Sequence, residues 1–319
     1  MWHIIPTQRP LSAAGLSLKA LIPTQAHWCH FRRFISSQAV TSIPPNAWDS
    51  HMHVTDPLRF PISRDATYKP HPATLSSALA NARQTNLPNL VFVQPSTYGT
   101  DNACLLHALK TVGLSHGRGV VVIDPEEIDL DALHKWHALG VRGVRLNLKS
   151  VNKKLPRMEL ANLLRAYADV IRPMKTWALQ LYVDLAIMDD IESLLPKLGI
   201  KVVFDHYGHP SSLTPPLSEI PGWNALLRMM QSQLVYVKIS APYRLSNDPE
   251  YKDLEVMSKE LFRVRGGKGV VFASDWPHTR FEEVDIKPFV KNCLEWCGGD
   301  ERLRDNLFRD NARELWDIR

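Results

Sequence analysis

The chain has 319 residues, 45% hydrophobic and 22% charged, which is enough to bury a full core and too apolar for a disordered chain. No apolar run approaches the ~18 residues needed to cross a bilayer. The formal net charge is +5, but Arg9, Lys19, Arg32 and Arg33 precede the first acidic residue, Asp49; without them the balance is 34 basic to 33 acidic residues, so nothing in the charge of the body of the chain suggests a nucleic-acid surface.

Residues 1–46 are free of acids and rich in Arg, Ser, Thr and Ala. That composition resembles a mitochondrial transit peptide, and Arg33-Phe34-Ile35-Ser36-Ser37 resembles a matrix-protease cleavage site. The other reading is a disordered basic extension. The expected location is the mitochondrial matrix, or otherwise the cytoplasm. Of four cysteines, Cys29 lies in this leader. Cys293 and Cys297 share a helix face without zinc-ribbon spacing. So few thiols make no disulfide framework and suit a reducing compartment.

From residue 47 onward two signals alternate. Short apolar or β-branched runs predict strands at 47–53, 89–93, 119–123, 141–148, 178–184, 201–205, 234–239 and 269–273. Apolar residues three and four apart predict helices at 74–85, 101–109, 130–139, 160–171, 187–195, 223–230 and 254–262, with two more near 288–296 and 301–315. Eight strand–helix units in about 270 residues predict an α/β fold, a (β/α)8 TIM barrel with a parallel sheet over 47–319, preceded by an unstructured leader. A doubly wound open sheet is the competitor. No Gly-rich phosphate turn follows the first strand to favour it.

In such a barrel, chemistry gathers at the C-terminal ends of the strands. The first strand ends in His51 and His53, two apart and so on one face. The second ends in Gln94-Pro95-Ser96. The fourth carries Arg142 and Arg145, and the fifth ends in Tyr182 and Asp184. The sixth ends in Asp205-His206-Tyr207-Gly208-His209. The seventh holds Lys238 and Ser240, with Tyr243-Arg244 after it. The eighth ends in Ser274-Asp275-Trp276-Pro277-His278. Each feature alone has a structural explanation: an Asp after a strand often caps a helix. Buried charge is costly unless paired, so their joint placement at one mouth points to a functional site.

Asp-Ser-His-Met-His after strand one, Phe-Asp-His-Tyr-Gly after strand six and Ala-Ser-Asp-Trp-Pro-His after strand eight resemble the amidohydrolase superfamily. The run Gln94–Asn102 and Phe308-Arg309-Asp310-Asn311-Ala312 bring the chain nearest to its 2-pyrone-4,6-dicarboxylate lactonase group. The resemblance implies a hydrolase that opens the lactone of an anionic pyrone- or muconolactone-like molecule. Asp275 would activate water, and His51, His53 and His206 would polarise the carbonyl. Arg145 and Arg244, with Arg142, would pair with substrate carboxylates, and Ser96, Tyr68 and Tyr182 would add neutral donors. Arg142 and Arg145 are three apart on one strand and cannot both point inward without a bulge. His209 and His278 complete the candidate substrate contacts, and His209 stands where an Arg is expected.

The lactonase group resembled works without metal, so no cofactor is favoured. If zinc is present, His51, His53, His206 and Asp275 would hold it. The arginines of strand four and Tyr182, where metal-binding relatives commonly place His, oppose a two-metal site. Two alternatives therefore stand beside the lactonase reading. One is a mononuclear zinc hydrolase or decarboxylase of the same superfamily. The other is a non-catalytic barrel binding an acidic metabolite. The expected partner is a small anionic lactone, with no nucleic acid or membrane; the sequence leaves the oligomeric state open.

Overall fold

β-Branched runs bounded by turn residues form the strands, and the longer amphipathic segments between them form the helices. In the computed structural model, which describes residues 42–214, 216–281 and 283–318, the chain runs β1 (Trp48–Met52), α1 (Leu75–Thr85), β2 (Asn89–Val93), α2 (Ala103–Val112), β3 (Gly117–Val121), α3 (Leu130–Leu139), β4 (Val141–Asn147), α4 (Arg157–Ile171) and β5 (Ala178–Tyr182). There follow α5 (Met188–Ile191), α6 (Leu195–Leu198), β6 (Lys201–Phe204), α7 (Trp223–Met229), β7 (Val235–Ile239), α8 (Glu255–Arg263), β8 (Val270–Phe272), α9 (Lys287–Trp296), α10 (Glu301–Asp305) and α11 (Asn311–Leu315). The transit-peptide reading falls, apart from 42–46, outside the described residues. No described helix is long and apolar enough to cross a membrane.

The eight strands are parallel and lie side by side in chain order. The last returns to the first: Asp275 N donates to His51 O at 2.9 Å, and His53 N to Trp276 O at 2.8 Å. This is the expected (β/α)8 barrel. These two bonds also bring the histidines of β1 against the loop that carries Asp275.

Several predicted boundaries shift, three of them with a clear local cause or consequence. β3 begins at Gly117, since Gly117 and Arg118 already pair with Leu90 and Val91. The helix expected over 187–195 is two four-residue pieces, the second opening around Pro196, which has no N–H to give. The helix expected over 301–315 is interrupted by a wide turn at Asn306–Asp310. Beyond it Asn311 donates to the carbonyls of Gly267 and Val270 at 2.8 and 2.7 Å, tying the terminal segment to β8.

That segment closes the barrel floor. Val91, Val93, Val120, Val203 and Val271 pack with Leu315 and Trp316 in one apolar cluster. Trp316 is fully buried, which stabilises the fold by on the order of 3 kcal/mol, and its Nε1 donates to Ser50 Oγ at 3.2 Å. The register of β1 against β2 slips between Asp49 and Met52. Such an irregularity re-aims side chains: Ser50 reaches the floor, while His51 and His53 meet the groups at the mouth. Gly143 has a similar effect on β4. A Cβ there would sit 2.6 Å from Ala178 O, so only glycine lets β4 lie this close to β5, two residues before Arg145.

Candidate active site

The polar groups converge on Asp275, at the end of β8. Asp275 is buried and has a left-handed φ of 61°. His206 and His278 share that region of backbone space, at 52° and 59°. Such conformations cost roughly 1 kcal/mol each for non-glycine residues, and their clustering here is the backbone's own mark of the site. Asp49 braces the loop from below. Its Oδ1 accepts from Ser274 N at 2.9 Å and His51 N at 3.1 Å. Burial raises its pKa to about 6 against these hydrogen bonds.

The two oxygens of Asp275 have different neighbours. Oδ2 accepts from Tyr243 Oη at 2.6 Å and from Arg244 Nε at 3.1 Å, and lies 3.8 Å from His206 Nε2. Oδ1 lies 3.5 Å from Nε2 of both His51 and His53. Burial opposes ionisation, yet His206 and Arg244 hold the carboxyl well below the usual carboxylate range. Burial also lowers His206 to about 4, which leaves it neutral near pH 7. The permanent cation that keeps Asp275 ionised is therefore Arg244.

Each histidine has a partner for its other nitrogen. His53 Nδ1 lies 2.7 Å from the Val93 carbonyl, which only accepts, so Nδ1 carries the proton. His206 Nδ1 bonds Ser240 Oγ at 2.8 Å. His51 Nδ1 lies 3.2 Å from Lys238 Nζ and 3.3 Å from Asp205 Oδ1. Burial and the Lys238 charge keep His51 well below 6.5.

Beneath the histidines lies a second buried polar layer. Asp205 Oδ2 accepts from Gln180 Nε2 at 3.0 Å and from Arg145 Nη2 at 3.3 Å. Lys238 Nζ donates to Gln180 Oε1 at 2.7 Å and lies 3.2 Å from Asp205 Oδ1. Lys238 is fully buried, and burial brings its pKa down to about 8. Asp205 is held ionised by Lys238, His51 and Arg145 in spite of its burial.

Above these groups is a cavity of about 180 Å³. Arg145, Lys149, Arg244 and Arg280 line it against one carboxylate, Asp275, with Tyr68, Ser96 and Tyr182 as neutral polar groups. Arg280 stacks over the Tyr68 ring at 4.4 Å. Arg145 Nε is buried without a hydrogen-bond partner. A larger groove of about 1070 Å³ runs between α1, α2 and α9, but no acidic residue lines it and the histidine cluster is elsewhere.

The cluster also has the donor set of a metal site. Ligand atoms of His51, His206 and Asp275 lie within 4.8 Å of one another. Nε2 of His51 and His53 are 3.3 Å apart. Donors on a tetrahedral ion at 2.0–2.1 Å are about 3.3 Å apart, so the His51–His53 pair has the spacing of two zinc ligands, while His206 and Asp275 stand farther off.

The family profile of the amidohydrolases matches residues 48–318. The chain belongs to the amidohydrolase family. It is a hydrolase, and the histidines, Asp275 and the cavity above them lie within the matched region. Among similar proteins is the 4-sulfomuconolactone hydrolase of Hydrogenophaga intermedia, 26% identical over 283 residues, or 86% of this chain and 89% of that one. The 2-pyrone-4,6-dicarboxylate hydrolase of Comamonas testosteroni is 26% identical over 293 residues, or 86% and 91%. A crystal structure from Pseudomonas putida, provisionally named a 2-pyrone-4,6-dicarboxylic acid hydrolase, superposes with a TM-score of 0.73 at 32% identity, covering 86% of this chain and 98% of that one.

In this amidohydrolase the structure brings together His51, His53, His206, Asp275, Ser96, Tyr68, Arg145, Tyr182 and Arg244. Three candidates fall elsewhere. Arg142 lies at the opposite end of β4, bonded to His137 O, Val141 O and Asp317; the strand's alternation sends it outward while Arg145 points in. His209 packs against Tyr182, with ring centroids 5.4 Å apart, outside the cavity lining. His278 packs on Tyr243 and faces a neighbouring groove.

Sequence reading assigned no role to Lys238, Asp205, Gln180, Tyr243, Asp49, Lys149 or Arg280. A signal existed for Lys238: it interrupts the apolar strand Val235–Ile239 at the same parity as Ser240. Gln180 and Asp205 likewise have the parity of Tyr182 and Val203, which face the barrel interior.

Proposed function

We propose that this amidohydrolase opens the lactone ring of a small anionic substrate by adding water to the ring carbonyl. The observation that carries the reading is an ionised Asp275 with one oxygen anchored and the other facing the imidazoles, beneath a cavity lined by four cations. Asp275 Oδ1 and the bare Nε2 of His53 are two acceptors 3.5 Å apart, suited to hold the attacking water. Asp275 takes the water's proton as its oxygen bonds to the carbonyl carbon. The oxyanion that forms is met by N–H groups of the surrounding side chains. The ring C–O bond then breaks, and the proton passes from Asp275 to the leaving oxygen. Arg145, Lys149 and Arg280 pair with the acidic substituents. The names of the relatives, two of which are hydrolases of sulfonated or carboxylated lactones, support the anionic lactone as substrate class.

A second reading rests on the 3.3 Å spacing of the His51 and His53 Nε2 atoms. There His51, His53, His206 and Asp275 would hold zinc, which supplies Lewis acidity toward the carbonyl and acidifies a water. The rest of the site would still bind the anion through its arginines. A panel of carboxylated and sulfonated lactones, followed by ring-opening absorbance with and without a chelator, tests both. Turnover that survives chelation, in protein without stoichiometric zinc, supports the first reading. Turnover lost with the zinc supports the second. Absence of turnover across the panel rejects the lactone.

A further inference from the structure

We infer that Lys238 is a positioning residue that holds His51 with its proton on Nε2, so that His51 turns an N–H donor, and not a lone pair, toward His53 and Asp275 beneath the cavity. Both edges of the imidazole carry the argument.

At one edge is an ammonium, which has three protons to donate and no lone pair. Nζ of Lys238 has three polar neighbours: Gln180 Oε1 at 2.7 Å, Asp205 Oδ1 at 3.2 Å and His51 Nδ1 at 3.2 Å. The amide of Gln180 is oriented, since its Nε2 donates to Asp205 Oδ2 at 3.0 Å. One proton thus has Gln180 Oε1 as its acceptor, and Asp205 Oδ1 is an ion-pair neighbour outside hydrogen-bond geometry. Another is directed at His51 Nδ1, which receives it only as a lone pair.

At the other edge, His51 Nε2 faces acceptors. With its proton on Nδ1, donated to Val93 O at 2.7 Å, His53 turns Nε2 toward Nε2 of His51 as a lone pair, 3.3 Å away. Asp275 Oδ1 lies 3.5 Å away. A proton on His51 Nε2 satisfies both edges together. The competing tautomer would send Nδ1–H toward Asp205 Oδ1 at 3.3 Å. It would leave one ammonium proton without an acceptor and set two imidazole lone pairs against each other. Unsatisfied donors and opposed lone pairs are strongly disfavoured in a buried site.

This gives a wholly buried lysine a task that packing does not require, since methionine fills a similar volume without a charge. It also bears on metal: a protonated Nε2 is no ligand, and an ammonium beside His51 opposes a divalent cation. The catalytic consequence rests on the lactone reading above; the tautomer does not.

The test is two-bond ¹H–¹⁵N correlation of histidine-labelled, full-length protein as purified, near pH 7. The His51 signals are assigned by their loss in His51→Gln. The expected result is His51 protonated at Nε2 and bare at Nδ1, moving to Nδ1–H in Lys238→Met. Finding Nδ1–H, or a metal on Nε2, in the unaltered protein overturns the inference even if the variant does not fold. An unchanged tautomer in folded Lys238→Met overturns the role of Lys238. In the kinetic arm, Lys238→Met lowers kcat about 10²-fold with KM within about twofold. If the unaltered protein opens no lactone, the substrate reading fails while the NMR result stands by itself.

Discussion

The Tyr243 hydroxyl donates to Oδ2 of Asp275 across 2.6 Å. Burial and the adjacent carboxylate keep the phenol protonated, with its pKa well above the ordinary value of 10. The bond therefore fixes one oxygen of Asp275 and leaves the other toward the imidazoles. Tyr243→Phe removes one charge-assisted hydrogen bond, worth roughly 1.5 kcal/mol, and is expected to lower kcat about 10-fold with little change in KM. Steady-state kinetics check this; an unchanged kcat would mean that Arg244 alone positions the carboxylate.

Asp275→Asn keeps the shape of the side chain and removes its basicity. Turnover should fall about 10³-fold, while circular dichroism at neutral pH shows an intact fold. A variant retaining a tenth of the activity would transfer the base's role elsewhere, with His53 Nε2 the first alternative.

Lys149 and Arg280 line the cavity, Lys149 paired with Asp184 and Arg280 stacked over Tyr68. Their charge serves substrate binding in this account. Lys149→Met and Arg280→Met should each raise KM about 5-fold and leave kcat within about twofold. Raising ionic strength should raise KM of the unaltered protein in the same sense. A fall in kcat with KM constant would place these residues in the chemical step.

Arg142 gives the converse prediction. It pairs with Asp317 at the floor end of β4, far from the mouth, and ties down the terminal segment that carries Trp316. Arg142→Ala should reduce stability by about 1 kcal/mol and leave kcat and KM as they are. Denaturant unfolding and kinetics on one preparation check both halves.

The buried imidazoles predict acid lability. His206 has a folded pKa near 4 against 6.5 in the unfolded chain, so the unfolded state binds the extra proton as pH falls through that window. Stability present above pH 6.5 is lost on the way down to about pH 4. For His206 alone the loss is about 2 kcal/mol at pH 5. His209, lowered to about 3, acts in the same direction. Asp49 acts oppositely, since its folded pKa near 6 favours the folded state as pH drops toward 3.8, and offsets about 1 kcal/mol of that loss at pH 5. The melting temperature should fall between pH 7 and pH 5, and less steeply in His206→Gln. A melting temperature that is flat or rises toward pH 5 contradicts this.

The barrel was legible because period-two and period-three-to-four patterns alternate eight times, and most strand positions follow directly. The mouth was legible because local motifs carry it: His51 and His53 are two apart on one strand, and Asp275 follows an apolar run. What escaped was the layer below. Lys238, Gln180 and Asp205 come from three strands and acquire meaning only when the closed sheet brings them together. Arg142 misled for a related reason. Its residue type suited the chemistry, but its position early in β4 places it at the other end of the barrel. His209 and His278 follow left-handed backbone at His206 and Asp275, and such turns redirect side chains in ways that alternation does not foretell.

The account turns on one measurement: ring-opening rates of the purified protein on carboxylated or sulfonated lactones, compared with their neutral esters. Opening of the acid forms, with kcat/KM at least about 10-fold above the esters, is the predicted result. No opening of any acid form, or equal or faster opening of the neutral esters, would contradict it.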